Sequence, residues 1–122
     1  MLNVAYNTIL YRFISSAILD GSIINVIASV DIPEGAVVSL NSSGQAILAT
    51  ASTVPVGIAR YSRKAGTSLA VEGSCIIENK SGTSLALTPG TAVFAGAGGI
   101  VAGTGTNKVG VALTADRIKI SL

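Results

Sequence analysis

Residues 32–73 and 88–122 read as two copies of one β-unit, and no other feature restricts the fold of this chain as much. Ile32-Pro33-Glu34-Gly35-Ala36-Val37-Val38 is answered by Thr88-Pro89-Gly90-Thr91-Ala92-Val93. Gly44-Gln45-Ala46-Ile47 is answered by Gly99-Ile100-Val101-Ala102, and Val56-Gly57-Ile58-Ala59 by Val109-Gly110-Val111-Ala112. Leu69-Ala70-Val71 aligns with Ile118-Lys119-Ile120. Gly35 to Gly90 and Gly44 to Gly99 share an offset of 55, whereas Val56 to Val109 gives 53 and Leu69 to Ile118 gives 49. The shortening falls between the strand-like runs. Turns absorb deletions, and paired strands cannot without flipping every side chain to the other face.

The remaining signals are those of short strands. Ser22–Val30, Ala36–Leu40, Gln45–Ala49, Val54–Tyr61, Ser68–Val71 and Cys75–Glu78 are rich in Val, Ile and small residues, as are Thr91–Ala95, Gly99–Ala102, Lys108–Leu113 and Arg117–Leu122. Turn signals separate them: Asp31 to Gly35, Asn41-Ser42-Ser43-Gly44, Arg63-Lys64-Ala65-Gly66 and Asn79-Lys80-Ser81-Gly82. Many short strands at close intervals predict an all-β, compact antiparallel barrel or sandwich. Closure is expected because an open sheet so poor in charge would leave adhesive edges. Gly57 and Gly110 recur at matched places inside strands, which predicts a bend or a close backbone approach in both copies. The organisation expected is an N-terminal arm, residues 1–20, followed by a β-barrel-like domain over 21–122. Leu2, Tyr6, Ile9, Leu10, Phe13, Ile14, Ala17 and Ile18 suit a helical stripe, and the aromatic and β-branched content of the same segment suits strands; both readings stand. An apolar terminus needs something to dock on, whether its own barrel or a neighbour.

Charged residues make up 11% of the 122, against roughly 25% in ordinary domains. A surface this poor in charge is expected to be covered by other subunits or a larger partner. The net charge is +2, and no basic run exceeds Arg63-Lys64, so nucleic acid is not an expected direct partner. The uncharged stretches are broken by Pro, Gly, Asn or Gln, which argues against a membrane span. The N-terminus lacks a basic start and carries Arg12 in its apolar segment, so an unprocessed chain is expected.

Catalytic chemistry has little to work with. Histidine is absent, which excludes histidine-based triads, Cys-His pairs and histidine metal ligands. Cys75 is the single cysteine and sits in a strand-like run, where it reads as a small core hydrophobe. Glu72 and Glu78 are near enough in sequence to pair across a hairpin, but read as solvated strand-end residues. Asp31 and Glu34 offer too few oxygens for a calcium loop. Gly96-Ala97-Gly98-Gly99 with Gly103-Thr104-Gly105 lacks the spacing and the Lys-Ser/Thr ending of phosphate-binding loops and reads as a glycine-rich hairpin. No catalytic residue, cofactor or metal is predicted.

Ile-Pro-Glu-Gly-Ala-Val-Val (32–38), Asn-Ser-Ser-Gly-Gln-Ala (41–46), Val-Pro-Val-Gly-Ile-Ala (54–59), Thr-Pro-Gly-Thr-Ala-Val (88–93) and Lys-Val-Gly-Val-Ala-Leu (108–113) together resemble the small head decoration, or capsid-cementing, proteins of tailed phages. The resemblance covers residues 22–122. It implies a β-barrel-like or β-tulip subunit on the outer surface of the virion, bound to the major capsid protein and forming homotrimers that bridge capsomers. That family has no catalytic residues to carry over. Aromatic clustering makes Leu2, Val4, Tyr6, Tyr11 and Phe13 the expected contacts with capsid or a neighbouring subunit. Val93 and Phe94, beside an uncharged stretch, are the expected trimer contacts. The competing reading is a carbohydrate-binding or adhesive β-module on a particle or cell. Five aromatics gathered mostly near one terminus suit it less well.

Overall fold

A computed structural model describes residues 11–16, 23–80 and 86–122, with the backbone alone for 13–16. The protein is all-β: two antiparallel sheets, one of them a curled half-barrel, form a compact barrel-like domain. Among the described residues eleven strands follow in order: β1 (Tyr11–Ser16), β2 (Ile23–Ile27), β3 (Val37–Leu40), β4 (Ala46–Leu48), β5 (Pro55–Ala59), β6 (Ser68–Glu72), β7 (Ser74–Asn79), β8 (Ala92–Ala95), β9 (Val101–Ala102), β10 (Lys108–Ala112) and β11 (Arg117–Ser121). One 3-10 turn, Ala97–Gly99, links β8 to β9 at the glycine-rich hairpin.

Each copy of the repeat, extended by the strand that precedes it (β2 or β7), makes one sheet. The first sheet has the order β2-β6-β5-β3-β4 and the second β1-β7-β11-β10-β8-β9. With β1 set aside, the orders coincide strand for strand. The ladders agree residue for residue: Val37 faces Ile58 as Ala92 faces Val111, and Val38 faces Gly57 as Val93 faces Gly110. Both ladders slip at the same place, leaving Val56 and Val109 as the extra residue of a bulge. The glycine after each bulge is required by the neighbouring strand. A Cβ on Gly57 would lie 2.6 Å from the Glu72 carbonyl oxygen, and one on Gly110 would land on the Lys119 carbonyl. The expected close approach is therefore present in both copies. One alignment changes: Ala59 pairs with Val71 and Ala112 with Ile118, so Val71, not Leu69, is the counterpart of Ile118. The two-residue slip preserves side-chain facing, which is why composition alone did not reveal it.

The sheets stack the same way up. One face of the first sheet carries Val38, Ala46, Ala59, Leu69 and Val71, which pack together within its own curl with Ile24 and Val26. Its edges meet there, because Ala28 beyond β2 bridges Ala46 of β4 in parallel and the Ser29 amide donates to the Ala46 carbonyl at 2.8 Å. The opposite face sends Val37 and Ile58 into a second core with Val93, Ala112, Ile118, Ile120, Cys75 and Ile77 of the second sheet. Val38, Ala59 and Val71 correspond to Val93, Ala112 and Ile118. The outer face of copy one thus lies on the inner face of copy two. This explains why β3 is buried at three successive residues, Val37, Val38 and Ser39, instead of alternating.

Tyr11–Ser16, the described part of the N-terminal arm, is a strand paired with β7, with Tyr11 opposite Asn79 and Arg12 opposite Glu78. Its seat involves the first copy too. A Cβ on Gly35 would land on the Tyr11 carbonyl oxygen, while the equivalent Gly90 has open space around it.

Candidate functional site

The side chains able to carry chemistry fall into three separate groups. Glu72 is 0% exposed and points from β6 into the layer between the sheets, on the same face as Ile58. Arg60, just past β5, brings its Nε to 3.3 Å of Glu72 Oε2 in an ion pair, and neither carboxylate oxygen accepts a hydrogen bond. The expectation that Glu72 is a solvated strand-end residue is corrected: the stacking of the second copy covers it. Cys75 occupies the same layer, and its thiol is pushed up to about 12 by burial and then by the charge of Glu72. It is protonated at neutral pH and is no nucleophile.

Glu78 belongs to the second group. Its carboxylate receives Arg12 Nη2 at 2.6 Å and Arg117 Nε at 3.0 Å. Those residues face it directly across the two ladders, so the triad spans β1, β7 and β11 in one line. The two arginines hold the Glu78 carboxyl below the usual carboxylate range, chiefly through these hydrogen bonds, that of Arg12 first. Glu72 and Glu78 thus belong to different charge systems and do not form an acid/base pair. The third group is the β5–β6 turn, where the guanidinium carbons of Arg60 and Arg63 lie 5.6 and 5.0 Å from the Tyr61 ring centroid. Among the described residues no three His, Cys, Asp or Glu side chains cluster as metal ligands would, and no helix is long and apolar enough to cross a membrane.

The surface is apolar in places where a free monomer would usually be polar. Val54 is 75% exposed, and Ile27, Val30, Leu40, Tyr61, Leu113 and Leu122 stand partly in solvent. Val30 and Leu40 flank the seam that closes the first sheet, since Leu40 pairs with Ala46 and Ala46 with Ala28. These positions lie at strand ends or just beyond them, where β-propensity marks strand but cannot mark what is uncovered.

Of the expected contact residues, Leu2, Val4 and Tyr6 lie outside the described residues, and so does the side chain of Phe13. Tyr11 is 2% exposed and belongs to the inter-sheet core. Its phenol is raised above the ordinary value by burial and then by the charge of Asp116, against a lowering by the Asn79 side chain. Val93 is fully buried in the same core. An alternating strand places the side chains of Tyr11 and Val93 inward, in the core of the subunit and away from the surface where contacts were expected. Phe94, next along β8, faces outward and is partly exposed. The Arg12–Glu78–Arg117 line was not anticipated, because it depends on a register between strands far apart in sequence. No protein-family model matches the chain, and no curated protein matches it.

Proposed function

We propose that this protein is a structural virion component that binds the outer surface of an assembled capsid and stabilises it by bridging capsomers. The observation that carries the reading is a weakly charged exterior on which large apolar side chains, Val54 foremost, stand exposed around a closed β-fold. A surface poor in charge that also exposes large apolar side chains suits association with a partner. The charged side chains that are buried or clustered hold strands and sheets together and do not converge on a reacting centre.

A cement of this type acts by mass action. It binds the assembled lattice and not free subunits, so at a free concentration a hundredfold above Kd it adds about 2.7 kcal/mol per site. Multiple copies that also touch one another, as homotrimers would, add avidity. The test is to strip expanded shells of this protein, add back the purified chain, and measure cosedimentation and the temperature at which the shells open. Saturable binding with a raised opening temperature is expected. A chain that stays in the supernatant at micromolar concentration would overturn the reading.

A further inference from the structure

The two copies differ in one face. In the first copy the face bearing Val37, Ser39, Ile58 and Glu72 is covered by the second sheet, and all four residues are buried. The ladders map these residues onto Ala92, Phe94, Val111 and Lys119 of the second copy. Among the described residues nothing covers them: Ala92, Phe94 and Val111 are partly exposed and Lys119 is exposed. Ala92, Val111, Lys119 and Ile76 form one row across four adjacent strands, with Phe94 and Lys108 paired beside it. The same sequence position is a buried carboxylate where the repeat covers itself and an exposed ammonium where it does not.

From this juxtaposition we infer that the outer face of the second sheet is a docking surface for a different protein that presents carboxylates among apolar side chains. The charges select the occupant. Lys108, Arg117 and Arg12 edge the face and Lys119 stands within it between Val111 and Ile76, while Glu78, the acid paired across these ladders, is already engaged by the two arginines. Lys108 and Lys119 have no ion-pair partner among the described residues. A second copy placed face to face would set like charges against each other. The equivalent inner face of another copy is not available either, since copy one folds it into its own curl. Phe94, Val111 and Ile76 supply the apolar contacts, and Lys119 among them with Lys108 beside Phe94 supplies the charge that steers an acidic partner. The inference rests on the capsid-binding reading only in naming that partner as the shell.

Two measurements separate the face from the function. In the first, the isotopically labelled full-length protein is titrated with a soluble glutamate–tyrosine copolymer and followed by amide NMR. Shifts centred on Ile76, Phe94, Val111 and Lys119, weakening between 20 and 150 mM salt, are expected. Shifts centred on the Arg63-Lys64 turn, or none, would overturn the inference. In the second, Lys108→Glu with Lys119→Glu is compared with wild type and with Lys64→Glu for binding to stripped shells. A loss of at least about tenfold in affinity is expected for the double variant alone, because reversed charges then oppose the partner. Equal binding by all three would reject the face while leaving the capsid-binding reading intact. Copolymer binding at this face by a wild-type protein that ignores shells would reject that reading while leaving the face.

Discussion

The first and second copies share strand order, bulge and register, yet they finish their sheets differently. Copy one closes on itself: its edge strands meet at Ala28 and Ala46, and one of its faces fills its own curl. Copy two is finished by another part of the chain, with β1 on the β7 edge and the outer face of copy one on its inner face. Identical ladders thus yield one self-contained half and one half that receives. The lesson is that duplication fixes the hydrogen-bonding frame, while a few side chains decide which surfaces are used up internally. Glu72 and Lys119 are the clearest pair.

The largest expected effect lies at the seat of β1. Gly35 and Gly90 occupy equivalent turns with φ of 84° and 86°, so an alanine at either incurs the left-handed penalty of about 1–2 kcal/mol. Only Gly35 has the Tyr11 carbonyl in the way. Urea unfolding of Gly35→Ala is expected to show a loss above about 3 kcal/mol, and of Gly90→Ala about 1 kcal/mol. Equal losses would mean that β1 does not sit on copy one.

Next comes the inter-sheet charge. Arg60→Ala leaves Glu72 buried without its cation and is expected to cost about 3 kcal/mol, the low end for a broken buried pair because the arginine is partly solvated. Lys119→Ala at the equivalent position should stay within about 0.5 kcal/mol. Adding Glu72→Gln to Arg60→Ala should recover part of the loss, and an unchanged urea midpoint would show that the pair contributes little to joining the copies.

Cys75 sharpens the comparison without altering stability, since it reports on the layer between the sheets. With a pKa of about 12, only about one thiol in ten thousand is ionised at pH 8. Labelling by an aromatic disulfide reagent should therefore follow global unfolding across a urea series. Rapid labelling in native buffer would show the two sheets separating on their own.

The smallest effect is at the edge of copy two. The folded carboxyl of Glu78 titrates below its unfolded value, so its contribution is present above the unfolded pKa of about 4.3 and is lost as pH falls through the folded one. The urea midpoint of the wild type should decline between pH 6 and pH 3 more than that of Glu78→Gln. Parallel declines would show that the Arg12–Glu78–Arg117 line does not fasten β1.

Much of the fold was legible because strands recur. The runs Ala36–Leu40, Lys108–Leu113 and Arg117–Leu122 correspond to β3, β10 and β11 within a residue at each end, and the matched glycines Gly57 and Gly110 mark the bulges. What escaped depended on the third dimension. Glu72 carries no local sign that a second sheet will lie over it. Tyr11 and Val93 are apolar in a strand, and a strand offers two faces, of which sequence does not say which is inward. Tyr11–Ser16 fits a helix or a strand equally by pattern, and only the unpaired edge of β7 decides between them.

Arg12 meets Glu78 across 66 residues of chain. On the ribosome, which extends a chain by roughly 5–20 residues each second, β1 therefore waits several seconds for β7, the strand it pairs with. During that interval copy one can complete its hairpins, and the N-terminal strand stays an unsheltered template for stray pairing. The strand that borders the second sheet is thus made well before the strand it borders, and the join between them is the one that must wait.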